Sequence, residues 1–158
     1  MKIKISIITA TLAVTLLTVS SCSFFEGTAT HREKGSPIPS TEESVNAFIN
    51  DNNGKRGSVI GYLNYHAFMR VYTNRPQNVN IMLTPGEIDT KIATVEMSWS
   101  ENGHNSVFVP KDAGEDEKKT IFYDNEGNAL KWNDKVIVSF ELEESSKDLI
   151  EVRIDKAK

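Results

Sequence analysis

Aromatic and cationic side chains cluster in one stretch of the chain and could form a recognition surface. Tyr62 is followed by Phe68, Arg70 and Tyr72, whose alternate positions place them on one face of a β-strand, and then by Arg75. Aromatic rings beside guanidinium groups can stack on a sugar ring, a base or a peptide side chain. These five residues are therefore the candidate ligand-binding residues. The pattern also fits buried rings of a strongly coiled barrel strand, so a purely structural role stays open.

Other side-chain constellations offer little chemistry. Ser58 lies in a Gly-Ser-Val-Ile-Gly stretch, but a strand is predicted around it, whereas a nucleophile elbow needs a strand-to-helix turn. No two of His31, His66 and His104 have metal-ligand spacing. The sequence thus predicts a protein that is not an enzyme, with no catalytic residue, no metal site and no cofactor.

Two acidic runs, residues 112–117 and 124–128, raise the question of calcium. Calcium needs six to eight converging oxygen ligands, and neither run has the alternating spacing of an EF-hand loop. The Asp-Asn-Glu-Gly-Asn run at 124–128 is better interpreted as a hairpin turn. Whether either loop binds a cation stays open.

The first 22 residues have the layout of an export signal. Lys2 and Lys4 precede an apolar run at residues 5–19, and two small residues then lead to Cys22, the chain's only cysteine. The run is shorter than the roughly 20 residues that a spanning helix needs. This pattern predicts a signal peptide over residues 1–21 that is removed after export.

Residues 17–22, Leu-Thr-Val-Ser-Ser-Cys, resemble the lipobox of bacterial lipoproteins. The resemblance implies that a diacylglycerol joins the Cys22 sulfur and that the acylated cysteine, carrying fatty acyl chains such as palmitate, becomes the new N-terminus. It implies a cell-envelope location with the domain facing the periplasm or the surface. The residue after the cysteine is serine instead of the aspartate that favours inner-membrane retention in enteric bacteria, so the outer membrane is expected.

Charge and length limit the functional classes. The formal charge is −4, and loss of the two leader lysines lowers it by two to −6, which disfavours nucleic acid as a partner. Residues 22–40, rich in glycine and proline, are predicted to be a flexible tether after the lipidated cysteine. Residues 41–158 suit a single, mostly β domain.

The local pattern predicts one short helix followed by strands. Ser40 and Glu43 have the spacing of a capping box, and Val45, Phe48 and Ile49 follow at helical spacing, so a helix is predicted over about residues 41–50. The Asn102-Gly103 dipeptide predicts a hairpin between its two flanking strands. Alternating apolar residues predict strands at 57–65, 68–73, 78–84, 92–100, 106–110, 120–123, 135–143 and 149–154.

Two segments add a resemblance to a fold. Residues 54–61, which open a first strand bent at Gly61, and residues 130–138, which lead into a closing hairpin, resemble parts of OB-fold domains in small envelope lipoproteins. The resemblance implies a small, five-stranded, mainly β barrel with one N-terminal helix. A β-sandwich of the transthyretin or immunoglobulin type stays an alternative.

These features together predict a function in binding. The expected protein is a membrane-anchored envelope lipoprotein that acts as a non-catalytic binding or scaffolding module, as an accessory subunit of a larger envelope assembly. Its expected partners are the membrane, through the lipid, and one or more envelope proteins. The alternative is an OB-type module that binds an oligosaccharide or another soluble ligand.

Overall fold

The computed structural model describes residues 32–51, 55–65, 75–113, 116–143 and 145–158. The strand predicted at 68–73 and the leader with Cys22 lie outside these residues. Two short 3₁₀ turns occur at Ile88–Thr90 and Glu117–Lys119. The other described elements are α1 (Glu42–Asp51), β1 (Ser36–Pro37), β2 (Arg56–Asn64), β3 (Gln77–Met82), β4 (Lys91–Trp99), β5 (Ser106–Phe108), β6 (Ile121–Tyr123), β7 (Ala129–Leu130), β8 (Val136–Leu142) and β9 (Leu149–Lys156).

The strands form one curled, open sheet. Eight strands follow the order β7-β6-β5-β4-β3-β2-β8-β9, and β1 adds to β2 in parallel. The curl brings β9 against β4, although no backbone ladder joins these two strands among the described residues. The molecule is therefore a half-barrel, and the prediction of a mainly β fold with one helix is confirmed. The line along which β4 and β9 meet is called the seam.

The core lies on the concave side of the sheet. Val79 and Ile81 of β3 and Val95 of β4 point inward and are buried, whereas Asn78 and Thr94 point outward and are exposed. This alternation is the one read from the sequence. The strand predictions at 57–65, 78–84, 92–100, 106–110, 120–123, 135–143 and 149–154 are confirmed, with ends that differ by a few residues.

Gly61 is a position where β2 needs a glycine. A Cβ atom there would lie 2.6 Å from the Met82 carbonyl oxygen and 2.8 Å from Ile81 Cγ2. The close approach of β3 at this point therefore excludes a side chain at position 61.

Helix α1 is confirmed, but its cap lies one residue later than predicted. The Thr41 hydroxyl accepts a hydrogen bond from the Ser44 amide at 3.2 Å, while Ser40 Oγ accepts one from the Ile60 amide at 2.8 Å. Ser40 binds the exposed backbone of β2 because the chain passes directly beside that strand. Thr41 therefore caps the helix. Phe48 then packs edge-on against Phe140, with ring centroids 5.8 Å apart.

The hairpin predicted at Asn102-Gly103 is wrong. β5 runs parallel to β4, with Ser98 opposite Ser106, and its antiparallel partner is β6. The cause lies in Asn105, which has a φ of 48° and accepts a hydrogen bond from the Ile154 amide at 2.7 Å. This buried bond holds the start of β5 at the edge of β9, and it outweighs the local turn preference of the dipeptide.

Part of the predicted tether is packed onto the domain. Residues 32–38, called the N-terminal strap, lie against β2 and β9, where Ser36 pairs with Gly57, the Ser58 hydroxyl donates to the Gly35 carbonyl at 3.1 Å and Arg32 contacts β9. Ile38 packs against the core. Residues 32–38 are thus packed against the domain in the described chain.

Candidate functional site

Two adjoining cavities follow the seam and share Glu96 as a wall residue; together they are called the seam cleft. The first, of about 280 Å³, lies between α1, β3, β4 and the turn that joins β8 to β9. The second, of about 260 Å³, lies between the strap, β4 and β9. The charged residues of both cavities are Arg32, Glu42, Lys91, Glu96, Glu143, Lys147, Asp148 and Glu151.

One wall of the cleft is the outer face of β3 and β4. Register places Asn78 opposite Glu96 and Asn80 opposite Thr94, so that amide, carboxyl and hydroxyl groups lie side by side. The Thr94 hydroxyl donates to Asn80 Oδ1 at 2.8 Å. Alternation along two paired strands produces this polar surface, because both strands turn their apolar side chains to the core.

Glu96 is the half-buried carboxylate of this wall. No hydrogen bond or ion pair of its side chain is found within the part of the chain that the structure describes. Burial raises the pKa of the Glu96 carboxyl above its ordinary value, and the nearby carboxylates of Asp148 and Glu143 raise it further. The described surroundings of Glu96 therefore disfavour the charged form of its carboxyl.

The opposite wall is a turn held by its own hydrogen bonds. The Lys147 amide donates to the Glu143 carbonyl at 2.8 Å, and the Glu143 amide donates to the Asp148 carbonyl at 2.9 Å. The Ser146 hydroxyl donates to the Glu143 carboxylate at 2.8 Å. Lys147 adopts a φ of 64°, and the turn presents Lys147 and Asp148 to the cleft.

Arg32 of the strap closes the other end of the cleft. Its guanidinium forms an ion pair with Glu151 at 2.9 Å and donates to the Val152 carbonyl at 3.1 Å. Burial lowers the pKa of Arg32 below its ordinary value, an effect that the charge of Glu151 opposes. Arg32 is thus committed to β9 and acts as a fixed part of the wall.

The structure describes two of the five ligand-binding residues predicted from the sequence. Tyr62 is half-buried on the outer side of β2, opposite Met82. Arg75 is exposed just before β3, and Met82 follows it by seven residues, which corresponds to about 20 Å along an extended strand. Tyr62 and Arg75 therefore do not form one compact patch.

The remaining predicted site residues are not described. Phe68, Arg70 and Tyr72 lie outside the described residues, as does Cys22, and for them the predictions stay predictions. The structure instead directs attention to Glu96, Asn78, Lys147 and Asp148, which were not singled out from the sequence. The sequence signal was the outward position of Glu96 in an alternating strand; its proximity to Asp148, 52 residues later, is not visible in any local pattern.

Other polar groups of the described chain have structural roles. His104 Nδ1 lies 2.9 Å from the Asn125 carbonyl oxygen, and the Ser58 hydroxyl holds the strap. Asp124 Oδ1 accepts hydrogen bonds from the amides of Glu126 and Asn128, which confirms the interpretation of residues 124–128 as a hairpin turn. Among the described residues, no group of three or more His, Cys, Asp or Glu side chains is placed to hold a metal ion.

Comparison with known proteins returned no match to a family model, a curated protein or a solved structure. In the described ranges, no helix has the length and apolar character required to cross a membrane.

Proposed function

We propose that this protein is a lipid-anchored envelope lipoprotein that binds another envelope protein through the seam cleft, as a non-catalytic accessory subunit of a larger assembly. The anchor is Cys22, and the proposed location is the outer membrane, with the domain facing the periplasm or the surface. The leader pattern supports the anchor and the compartment. The open cleft, with the uncompensated Glu96 in its wall, is the observation that supports binding.

The proposed architecture is an OB-like barrel. The five long strands follow the order β4-β3-β2-β8-β9 around the curl, and β9 returns to lie against β4. A partly open five-stranded barrel is the arrangement expected of an OB fold, in which loops and one sheet face bind ligands. The short strands β5 to β7 are then an insertion that extends the sheet beyond the barrel.

The chemistry of the cleft supports binding in preference to catalysis. The Thr94 hydroxyl donates its proton to an amide oxygen, so no base is positioned to activate it. Arg32 is held in an ion pair with Glu151. The groups that remain, chiefly carboxylates, ammonium groups and amides, can form hydrogen bonds and ion pairs with a partner segment.

One observation favours the alternative, an oligosaccharide ligand. Asn78 beside Glu96 and Asn80 beside Thr94 present hydrogen-bonding groups of the kind that contact sugar hydroxyls. No aromatic side chain occurs among the described residues that line either cavity, so a stacking ring is missing from this wall. We therefore place the oligosaccharide second.

An affinity pull-down tests the proposal. The full-length protein is isolated from gently solubilised envelopes, with Cys22→Ala as the control, and co-purifying proteins are identified by mass spectrometry. We expect a stoichiometric membrane protein with the wild type and at least a tenfold loss with the control, because the lipid places the domain beside its partner. Recovery of no protein by the wild type would overturn the accessory-subunit proposal, and binding of a glycan to the protein would then support the alternative.

A further inference from the structure

We infer that the seam cleft accepts the lysine or arginine side chain of an extended peptide segment of the partner, with Glu96 as its counter-ion. This inference rests on the proposed function, because it specifies which part of a protein partner the cleft binds. Three features of the cleft support it: its charges, the depth at which they lie and its size.

The charge of the cleft favours a cationic occupant. Five carboxylates line the two cavities against three basic groups, and the pairing of Arg32 with Glu151 leaves four carboxylates against two lysines. In the first cavity Lys91 and Lys147 are exposed, whereas Glu96 is half-buried, so the inner charge of that cavity is negative. A cation that enters the cleft would meet an attractive field that is strengthened by reduced contact with water.

Three other carboxylates of the described chain have a basic partner, whereas Glu96 has none among the described residues. Glu141 is paired with Arg56 at 3.3 Å, Asp155 with Arg153 at 2.9 Å and Asp134 with Lys156 at 2.9 Å. Glu96 has Asp148 and Glu143 as charged neighbours instead, and both oppose its ionisation. A cation from outside the chain would supply the compensation that the other three carboxylates obtain from the fold.

The polar neighbours and the size of the cleft favour a peptide side chain. Asn46, Asn78 and Thr94 carry amide and hydroxyl groups that can bond to a peptide backbone beside Glu96. The larger cavity, about 280 Å³, lies just below the roughly 300–1,000 Å³ that is usual for sites of whole small molecules. A single long side chain with its adjoining backbone suits such a space better than a branched ligand does.

A tripeptide titration tests the inference. The probe is acetyl-Ala-Lys-Ala-amide and the control peptide has Gln in place of Lys; each is titrated into the full-length chain in neutral detergent and followed by NMR. We expect the lysine peptide to shift the amide signals of β4 and of the β8–β9 turn and to bind at least fivefold more tightly than the glutamine peptide. Glu96→Gln is expected to remove that preference, whereas Glu87→Gln, an exposed glutamate in the β3–β4 connection, is expected to keep it.

The outcomes separate this inference from the proposed function. Equal binding of the two peptides, or a lysine preference that survives in Glu96→Gln, would overturn the inference. If Glu96→Gln still recovers the same partner in the pull-down, the accessory role stands and the assignment of Glu96 fails. If the lysine preference is found but no envelope protein is ever recovered, the inference stands and the accessory role fails.

Discussion

Glu96 is a single residue whose negative charge lowers the stability of the fold. Its carboxylate is half-buried beside two other carboxylates, and the pKa of Glu96 is raised for both reasons. A raised pKa of an acid means that the folded state holds the proton more tightly than the unfolded state does. The contribution of Glu96 to stability therefore falls as the pH rises above the ordinary glutamate pKa of about 4.3.

Replacement of Glu96 by Gln should stabilise the fold at neutral pH. The gain should be below about 1 kcal/mol, because solvent screens a partly exposed charge. It should vanish near pH 3, where the carboxyl is protonated in both states. Thermal unfolding of the wild type and Glu96→Gln at pH 3, 5 and 7 measures this difference.

Asp134 supplies the matched control for the loss of one negative charge. The hydrogen bond from Lys156 lowers the pKa of Asp134, and a backbone bond from Lys131 adds to the effect. Asp134→Asn should therefore lose stability at pH 7, and the loss should shrink as the pH falls toward 3, opposite in sign to the effect of Glu96→Gln. Destabilisation of the protein by Glu96→Gln at pH 7 would contradict the interpretation of Glu96.

At the scale of elements, the N-terminal strap depends on arginine side chains that bind carbonyl groups. Arg56 Nε donates to the Glu33 carbonyl at 3.1 Å, and Arg56 Nη2 donates to the Glu151 carbonyl at 2.7 Å. Arg153 donates to the Arg32 carbonyl. Because Arg56 binds both the strap and β9, it holds the strap against the edge of the half-barrel.

Arg56→Ala should release the strap without unfolding the domain. We expect the amides of residues 32–40 to exchange with solvent at least tenfold faster than in the wild type, because local opening then breaks fewer bonds. Amides of β3 and β4 should keep their protection. Hydrogen exchange read by mass spectrometry measures both, and Lys118→Ala, at an exposed residue of the second 3₁₀ turn, is the control. Unchanged exchange in residues 32–40 would show that β1 pairing alone holds the strap.

At the scale of the whole molecule, buried asparagines join the short strands β5 to β7 to the half-barrel. Asn105 Oδ1 accepts from the Ile154 amide, and Asn105 Nδ2 donates to Asn125 Oδ1 at 2.9 Å. The Asn125 amide in turn donates to the Ile154 carbonyl at 2.8 Å. Both backbone polar groups of Ile154 are thereby occupied, so this point of the terminal strand cannot pair with another chain.

Asn105→Gly should destabilise the whole fold by about 2 kcal/mol. The substitution removes two buried hydrogen bonds and leaves polar partners unsatisfied. Glycine tolerates the φ of 48° found at this position, so the loss of stability comes from the missing hydrogen bonds and not from backbone strain. Urea unfolding measures the change, with Asn102→Ala at an exposed loop position as the control. A loss below about 0.5 kcal/mol would show that β5 to β7 pack independently of Asn105.

Local patterns in the chain were sufficient to predict most of the helices and strands. The apolar spacing of Val45, Phe48 and Ile49 predicted α1, and the alternation in β3, β4, β8 and β9 predicted which side chains are buried. These patterns succeed because a side chain's direction depends on the period of its own helix or strand. The cap at Thr41 and the parallel β5 were missed because distant segments, β2 and β9, compete for the same polar groups.

The candidate site depended on distances that no local pattern contains. Alternation alone established that Glu96 is an outward-facing residue of β4. The curl of the sheet then placed it beside Asp148 and Glu143 and between two cavities. Periodicity acts over a few residues along the chain, whereas the field at a carboxylate is the sum over every charge that folding brings near it.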